Sequence, residues 1–201
     1  MITVKNLTKH FDDKKVLDDF NVVLKEGRIT TIMGTSGCGK TTFAMILLGL
    51  LQPDSGIIEG LEGKRISAVF QEDRLIEHLS AVANIKMVID GEPDLEEIRK
   101  QLSVVELEGE LIRKPVSQLS GGQKRRVAIV RAMMAKSDFI CLDEPFKGLD
   151  TETKQKVMEY VKKSVEGKTV LLITHDIDER RFFEGDYIGV IPGPVCEIWP
   201  F

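Results

Sequence analysis

The sequence predicts an α/β fold with a mostly parallel sheet, an antiparallel β element ahead of it and a helical segment inserted into it. Three observations carry this expectation. Short β-branched or apolar runs alternate with helical stretches through the central and later chain. The opening holds strands and turns, among them Phe11-Asp12-Asp13-Lys14-Lys15, but no helix. Residues from about 72 to 118 are polar, amphipathic and broken by Gly91, Pro93, Gly109 and Pro115. One domain over 1–201 is expected, with residues 1–71 and 136–201 as core and about 72–135 as the helical insertion.

Taken in order, Ile2–Leu7 and Phe20–Leu24 are the strand-like runs of the opening element. Ile29–Met33 is an apolar β-type run, and Thr41–Leu51 after it is rich in good helix formers. Ile66–Phe70 is the next strand, and Leu95–Leu102 is a helix within the insertion. Gly122–Ala135 reads as a helix with a capped start, Phe139–Leu142 as a buried strand and Thr151–Ser164 as a helix. Val170–Thr174 and Tyr187–Ile191 complete the strands, with a Gly193-Pro194 turn joining two short strand-like runs near the end. No internal repeat or low-complexity tract interrupts the pattern.

Composition narrows the function classes. The 201 residues suffice for one sizeable core, and 42% hydrophobic with 30% charged residues is ordinary for a globular protein. A formal charge of −4, with both signs interleaved, gives nucleic acid no global electrostatic support. The one dense basic cluster, Lys124-Arg125-Arg126, reads as a solvated helix face. Cys38, Cys141 and Cys196 are odd in number and far apart, which favours neither a zinc site nor a disulfide framework and fits a reduced cytosolic protein. The N-terminal MITVKNLTKHF is not a signal peptide. The longest apolar run, Phe43–Leu51, has about half the residues a bilayer-spanning helix needs, so membrane association is expected only through a partner.

Chemistry enters at Gly34-Thr35-Ser36-Gly37-Cys38-Gly39-Lys40-Thr41, which fits the phosphate-binding pattern G-x-x-x-x-G-K-[ST] between a strand and a helix. Its glycines let the backbone curl, so that amide N–H groups and the helix N-terminus face phosphate oxygens. Lys40 would reach the β- and γ-phosphates, and the Thr41 hydroxyl would ligate Mg²⁺. Cys38 reads either as a thiol activated by the helix N-terminus and Lys40 or as a small residue tolerated in the loop. The loop alone leaves kinase, GTPase and ATPase readings open.

Further motifs decide between them. Phe139-Ile140-Cys141-Leu142-Asp143-Glu144 is a buried-strand pattern ending in two acids. Asp143 stands where a Mg²⁺-coordinating carboxylate belongs, and Glu144 where a water could be aimed at the γ-phosphate. Leu119-Ser120-Gly121-Gly122-Gln123 precedes a helix, with Ser120 in the cap position, and forms a second anion-binding helix start in the same chain.

With LSGGQ at 119–123 flanked by both phosphate-loop and acidic-strand motifs, the chain resembles the nucleotide-binding subunit of an ATP-binding-cassette (ABC) transporter over nearly its whole length. The resemblance implies a P-loop NTPase core. Gln71, ending the strand ISAVF, matches the family's Q-loop glutamine; Gly148-Leu149-Asp150 matches its D-loop; and His175, after TVLLIT, matches its switch histidine. Phe11 falls at the adenine-stacking aromatic, replacing the commoner Tyr. It further implies ATP held between two cassettes arranged head to tail. The loop Gly34–Thr41 of one subunit would then hold the phosphates, with Thr42 at the α-phosphate, while Ser120 and Gly122 of the other approach the γ-phosphate. Thr41 and Gln71 would ligate Mg²⁺ with Asp143 acting through water, Glu144 would polarise the attacking water, and His175 would bond the γ-phosphate. Asp150 belongs to the same nucleotide-facing set.

Pro145-Phe146 after the acids resembles bacterial importers, and FQEDRLIEHLSAVANI after the Q-loop is similar to importers of the nitrate, sulfonate, taurine and thiamine-precursor group. That likeness implies transmembrane permease subunits, a second copy or a paralogous cassette, a substrate-binding protein acting indirectly, and a peripheral place on the inner face of the cell membrane. A soluble cassette ATPase outside transport is the alternative; a non-hydrolytic module would be expected to have lost Glu144 or His175. Lys147 stands where Ser or Ala is common, and the chain stops soon after TVLLITHD, which implies no C-terminal regulatory domain.

Overall fold

The computed structural model describes residues 1–12 and 14–190. The Gly193-Pro194 turn, the strand-like run after it and Cys196 therefore lie outside the described residues. The chain divides into two compact units. The first comprises Met1–Ile66, Ser137–Asp143 and the chain from Gly167 onward; the second comprises Ser67–Lys136 and Glu144–Glu166.

Two sheets build the first unit. Strands β1 (Ile2–Phe11), β2 (Lys14–Leu24) and β4 (Ser55–Glu59) form an antiparallel sheet in the order β2-β1-β4. Both of its first strands run longer than the apolar residues alone predict, because ladder pairing such as Lys9 with Leu17 and Phe11 with Lys14 carries the polar ends. The parallel sheet contains β6 (Phe139–Asp143), β7 (Thr169–Ile173), β3 (Ile29–Gly34) and β8 (Asp186–Val190) in that order. Every residue of β6 and β7 is buried, as continuous apolar strands of parallel sheets require. Strand β5 (Ile66–Val69) begins in the first unit at Ile66 and continues into the second.

Helix α1 (Lys40–Leu47) packs on β2, β3 and β6, with Phe43 edge-on to Phe20 at 4.9 Å between ring centroids. It is shorter than predicted: the chain leaves it at Leu48, and the amides of Leu50 and Leu51 turn back onto the Met45 carbonyl. Helix α6 (Ile177–Phe183), absent from the sequence-based elements, follows β7.

The second unit is helical: α2 (Ala81–Lys86), α3 (Leu95–Val104), a 3₁₀ turn (Val116–Gln118), α4 (Gly121–Met134) and α5 (Thr151–Ser164). Helix α4 touches α2, α3 and α5 and buries Val127–Val130 without a break, the pattern of a helix surrounded by others. Asn84 of α2 is 1% exposed and closes the preceding loop, accepting from the Ile76 amide and donating to the carbonyls of Ile76 and Ser80.

Candidate functional site

In the first unit the parallel register decides what meets. Asp143 pairs with Ile173 across β6 and β7, and Ile32 pairs with the same Ile173 across β3 and β7. The carboxyl ends of the three strands therefore lie side by side, and Asp143, His175 and the loop after Gly34 emerge at one edge, where open α/β sheets bind ligands. The Thr174 amide donates to the Ile32 carbonyl at 3.2 Å and ties the His175 turn to the strand that feeds the loop.

The loop closes into α1 at Gly39, the N-cap residue, whose φ is 97°. A Cβ there would stand 2.8 Å from the Val16 carbonyl oxygen and 3.0 Å from Leu17 Cδ2, so the β1–β2 hairpin presses directly on the loop. Lys40 Nζ donates to the carbonyls of Gly34 (2.8 Å) and Thr35 (2.9 Å) and lies 3.6 Å from Cys38 Sγ. Its charge is thus held inside the curl of Gly34–Gly39. Thr35, Ser36 and Gly37 are exposed, Cys38 and Thr42 half-buried. The Thr41 hydroxyl donates to Asp143 Oδ2 at 2.8 Å, and Asp143 is 4% exposed. Two hard oxygen donors are thereby joined beside the loop.

His175 is exposed, but both flanks of its turn are pinned. Buried Thr174 donates its hydroxyl to buried Glu179 at 2.5 Å and accepts the Asp176 amide at 3.1 Å. Asp176 caps α6 by accepting from the amides of Asp178 and Glu179. Phe11 ends β1 as a residue 45% exposed, with Lys9 Nζ 5.7 Å from its ring centroid. Cys141, in the middle of β6, is a free thiol pushed up by burial and plays no part at the edge.

The second unit holds the remaining expected residues. Glu144 follows β6 with φ 49°, an uncommon conformation for a side-chain-bearing residue and one found where backbone strain serves a site. Gln71 is exposed just after β5. Ser120 caps α4 in a reciprocal box: its hydroxyl accepts the Gln123 amide at 3.3 Å, and the Gln123 side chain accepts the Ser120 amide at 2.9 Å. Gly122 faces Gly148 and Leu149, so the LSGGQ turn and the D-loop adjoin. Asp150 caps α5, and the Thr153 amide it binds at 3.0 Å holds its carboxyl below the usual range.

One sequence expectation is overturned here. Arg125 is 6% exposed and the Arg126 side chain 12%, so Lys124-Arg125-Arg126 is not a solvated face. Arg126 donates to the carbonyls of Gly122, Val105 and Glu106. Arg125 reaches the backbone of Gln71, a partner 54 residues away that no local pattern signals. The buried pair Thr174–Glu179 was likewise unmarked in the sequence, because its meaning depends on the strand end it braces.

A phosphate loop, a carboxylate-bearing strand and an LSGGQ-capped helix together define a nucleotide-handling cassette. The family model for ABC transporters matches residues 17–147, and this chain belongs to that family as an ABC ATPase. It is 35% identical to the bicarbonate transport ATP-binding protein CmpD of Synechococcus elongatus, over 98% of this chain and 77% of that protein. It is 36% identical to the taurine import ATP-binding protein TauB of Escherichia coli O157:H7, over 96% of this chain and 81% of that one. Among solved structures, the dimeric bacterial ABC transporter cassette MJ0796 superposes with a TM-score of 0.86 at 34% identity, covering 100% of this chain and 98% of that one. The same cassette in a post-hydrolysis dimer bound to ADP and Pi gives 0.80 at 35% identity, covering 94% of each chain.

Proposed function

We propose that this cassette binds and hydrolyses ATP as the energising subunit of an importer. It would pair head to tail with a second cassette, identical or paralogous, on transmembrane permease subunits at the cytoplasmic face, with a substrate-binding protein acting through the permease. The import roles named for the relatives and the dimeric state of MJ0796 support the transport and pairing parts. No helix among the described residues is long and apolar enough to cross a membrane, in keeping with a separate permease.

The single observation that carries the catalytic part is the Thr41–Asp143 contact of 2.8 Å at the mouth of the phosphate loop. This all-oxygen pair fits Mg²⁺, which takes hard oxygen donors and needs few from protein. Thr41 and Gln71 would hold the ion, Asp143 acting through water, and the ion would supply charge neutralisation at the β- and γ-phosphate oxygens. Lys40 and the amides of the loop bind and orient the phosphates. Glu144 orients a water and takes its proton as the water oxygen bonds to the γ-phosphorus. The bond to the bridging oxygen breaks, leaving ADP and inorganic phosphate. His175 bonds the γ-phosphate oxygens and loses its partner when phosphate leaves. Ser120 and Gly122 of the opposing cassette close the site, so that closure and chemistry are one event.

Glu144→Gln tests this reading, because it keeps size and hydrogen bonding but cannot accept the proton. ATP affinity should persist while turnover falls by about 10²- to 10⁴-fold, with a closed dimer accumulating in ATP and Mg²⁺. Turnover near the wild-type rate would assign the proton acceptor elsewhere.

A further inference from the structure

We propose that Arg125 is a positioning residue for Gln71, fixing the peptide that carries it and making the segment after β5 move as one piece with α4. The proposal rests on the reading above, in which Gln71 acts at the nucleotide. Arg125 donates from one guanidinium nitrogen to the Phe70 carbonyl at 2.6 Å and from the other to the Gln71 carbonyl at 2.5 Å. Its Nε lies 3.2 Å from Asp73 Oδ1. A guanidinium is a rigid planar fork, so two donors on successive carbonyls fix the orientation of the peptide between them. The arginine is 6% exposed; water does not compete for its donors, and the carbonyls and Asp73 provide what solvation it has.

Gln71 itself is exposed, so its side chain leaves from a backbone whose direction Arg125 sets. The attachment extends along the segment. Arg131, less than two turns further along α4, donates to the carbonyls of Arg74 at 2.9 Å and Asp73 at 3.2 Å. Lys124 Nζ lies 3.5 Å from Glu77 Oε1, and the Glu77 carbonyl accepts the Ser117 amide at 3.0 Å, just ahead of Ser120. Four carbonyls between Phe70 and Arg74 are thus held by the helix that begins at the LSGGQ turn. A displacement of residues 70–77 is carried to Ser120 and Gly122 without passing through a flexible joint.

The test is a double-mutant cycle in the full chain with R125A, Q71A and the pair, reading ATPase kcat, binding of a fluorescent ATP analogue and thermal stability. If Arg125 acts through Gln71, R125A lowers kcat by about 10- to 100-fold while nucleotide affinity stays within about twofold, and the double variant is no slower than Q71A alone. R125K separates positioning from bulk structure. It returns the charge and much of the stability but not the fork, so kcat should stay low; full recovery of kcat by Lys would overturn the proposal. Losses that multiply in the double variant would overturn it too while leaving the role of Gln71 standing. A silent Q71A would remove that role and the proposal together. Should R125A fail to fold, R125Q, which keeps an amide donor, takes its place in the same cycle, and each outcome carries the same meaning.

Discussion

Replacing Gly39 by alanine tests how the hairpin and the phosphate loop hold each other. At φ 97° an L side chain costs about 1–2 kcal/mol. The new Cβ would also stand 2.8 Å from the Val16 carbonyl oxygen, 3.0 Å from Leu17 Cδ2 and 3.2 Å from Val16 Cγ1, and the nearest of these is backbone that cannot swing away. Overpacking of this kind adds about 1–3 kcal/mol, for a total near 3 kcal/mol. Gly37 supplies the control: its φ is 79°, but a Cβ there meets nothing within 4 Å, so G37A should lose only the backbone part. For a chain of this length about 3 kcal/mol corresponds to a fall in Tm of about 6–12 °C, against about 2–8 °C for the roughly 1–2 kcal/mol of G37A. Urea unfolding and thermal melts of the three proteins measure this. Equilibrium binding of a fluorescent ATP analogue should show at least a tenfold loss for G39A, because the loop must shift away from β2 and takes its amides with it. A G39A protein as stable as G37A, with wild-type affinity, would refute the idea that the hairpin braces the loop.

Other expectations follow from the same geometry. Lys40→Ala and Ser120→Arg should each abolish ATP-dependent dimerisation, whereas a mixture should recover it, because one composite site then has both partners intact. If mixing restores nothing under conditions where wild type dimerises, a tandem-linked dimer carrying one lesion tells whether both sites are required or the composite site is wrong. Glu179→Ala strands the buried Thr174 hydroxyl and should cost about 1–3 kcal/mol in denaturant unfolding, while Glu179→Gln keeps an acceptor and should recover most of it. Equal losses in both variants would show that the carboxylate charge, not the hydrogen bond, is what Thr174 needs. Asp54 is lowered from 3.8 to about 2, first by its hydrogen bond from Lys9 and then by that from the His10 amide. Its folded value lies below its unfolded one, so its contribution is present above about pH 4 and lost as the pH falls toward 2; the stability curves of wild type and Asp54→Asn should converge there, and a gap that persists below pH 2 would contradict the linkage.

Much of this protein was legible in the sequence because its motifs are short and their geometry is local. The strand–loop–helix context of Gly34–Thr41, the acids ending Phe139–Asp143 and the cap at Ser120 each need only a few neighbouring residues to be recognised. Helix α5 begins and ends where its pattern does, at Thr151 and Ser164. Elements without such a pattern were missed. Strand β4 is mostly exposed and contains Gly56, and α2 and α6 have six and seven residues, too few to show a helical period. What only the tertiary structure decided is which polar groups are inside. Lys124-Arg125-Arg126 looks solvated in one dimension, yet Arg125 is buried because carbonyls 54 and 55 residues away arrive to take its donors. Glu179 is buried because Thr174 at the end of β7 meets it. A charge enters a protein interior only when partners compensate its lost hydration, and where those partners come from is a property of the fold, not of the local sequence.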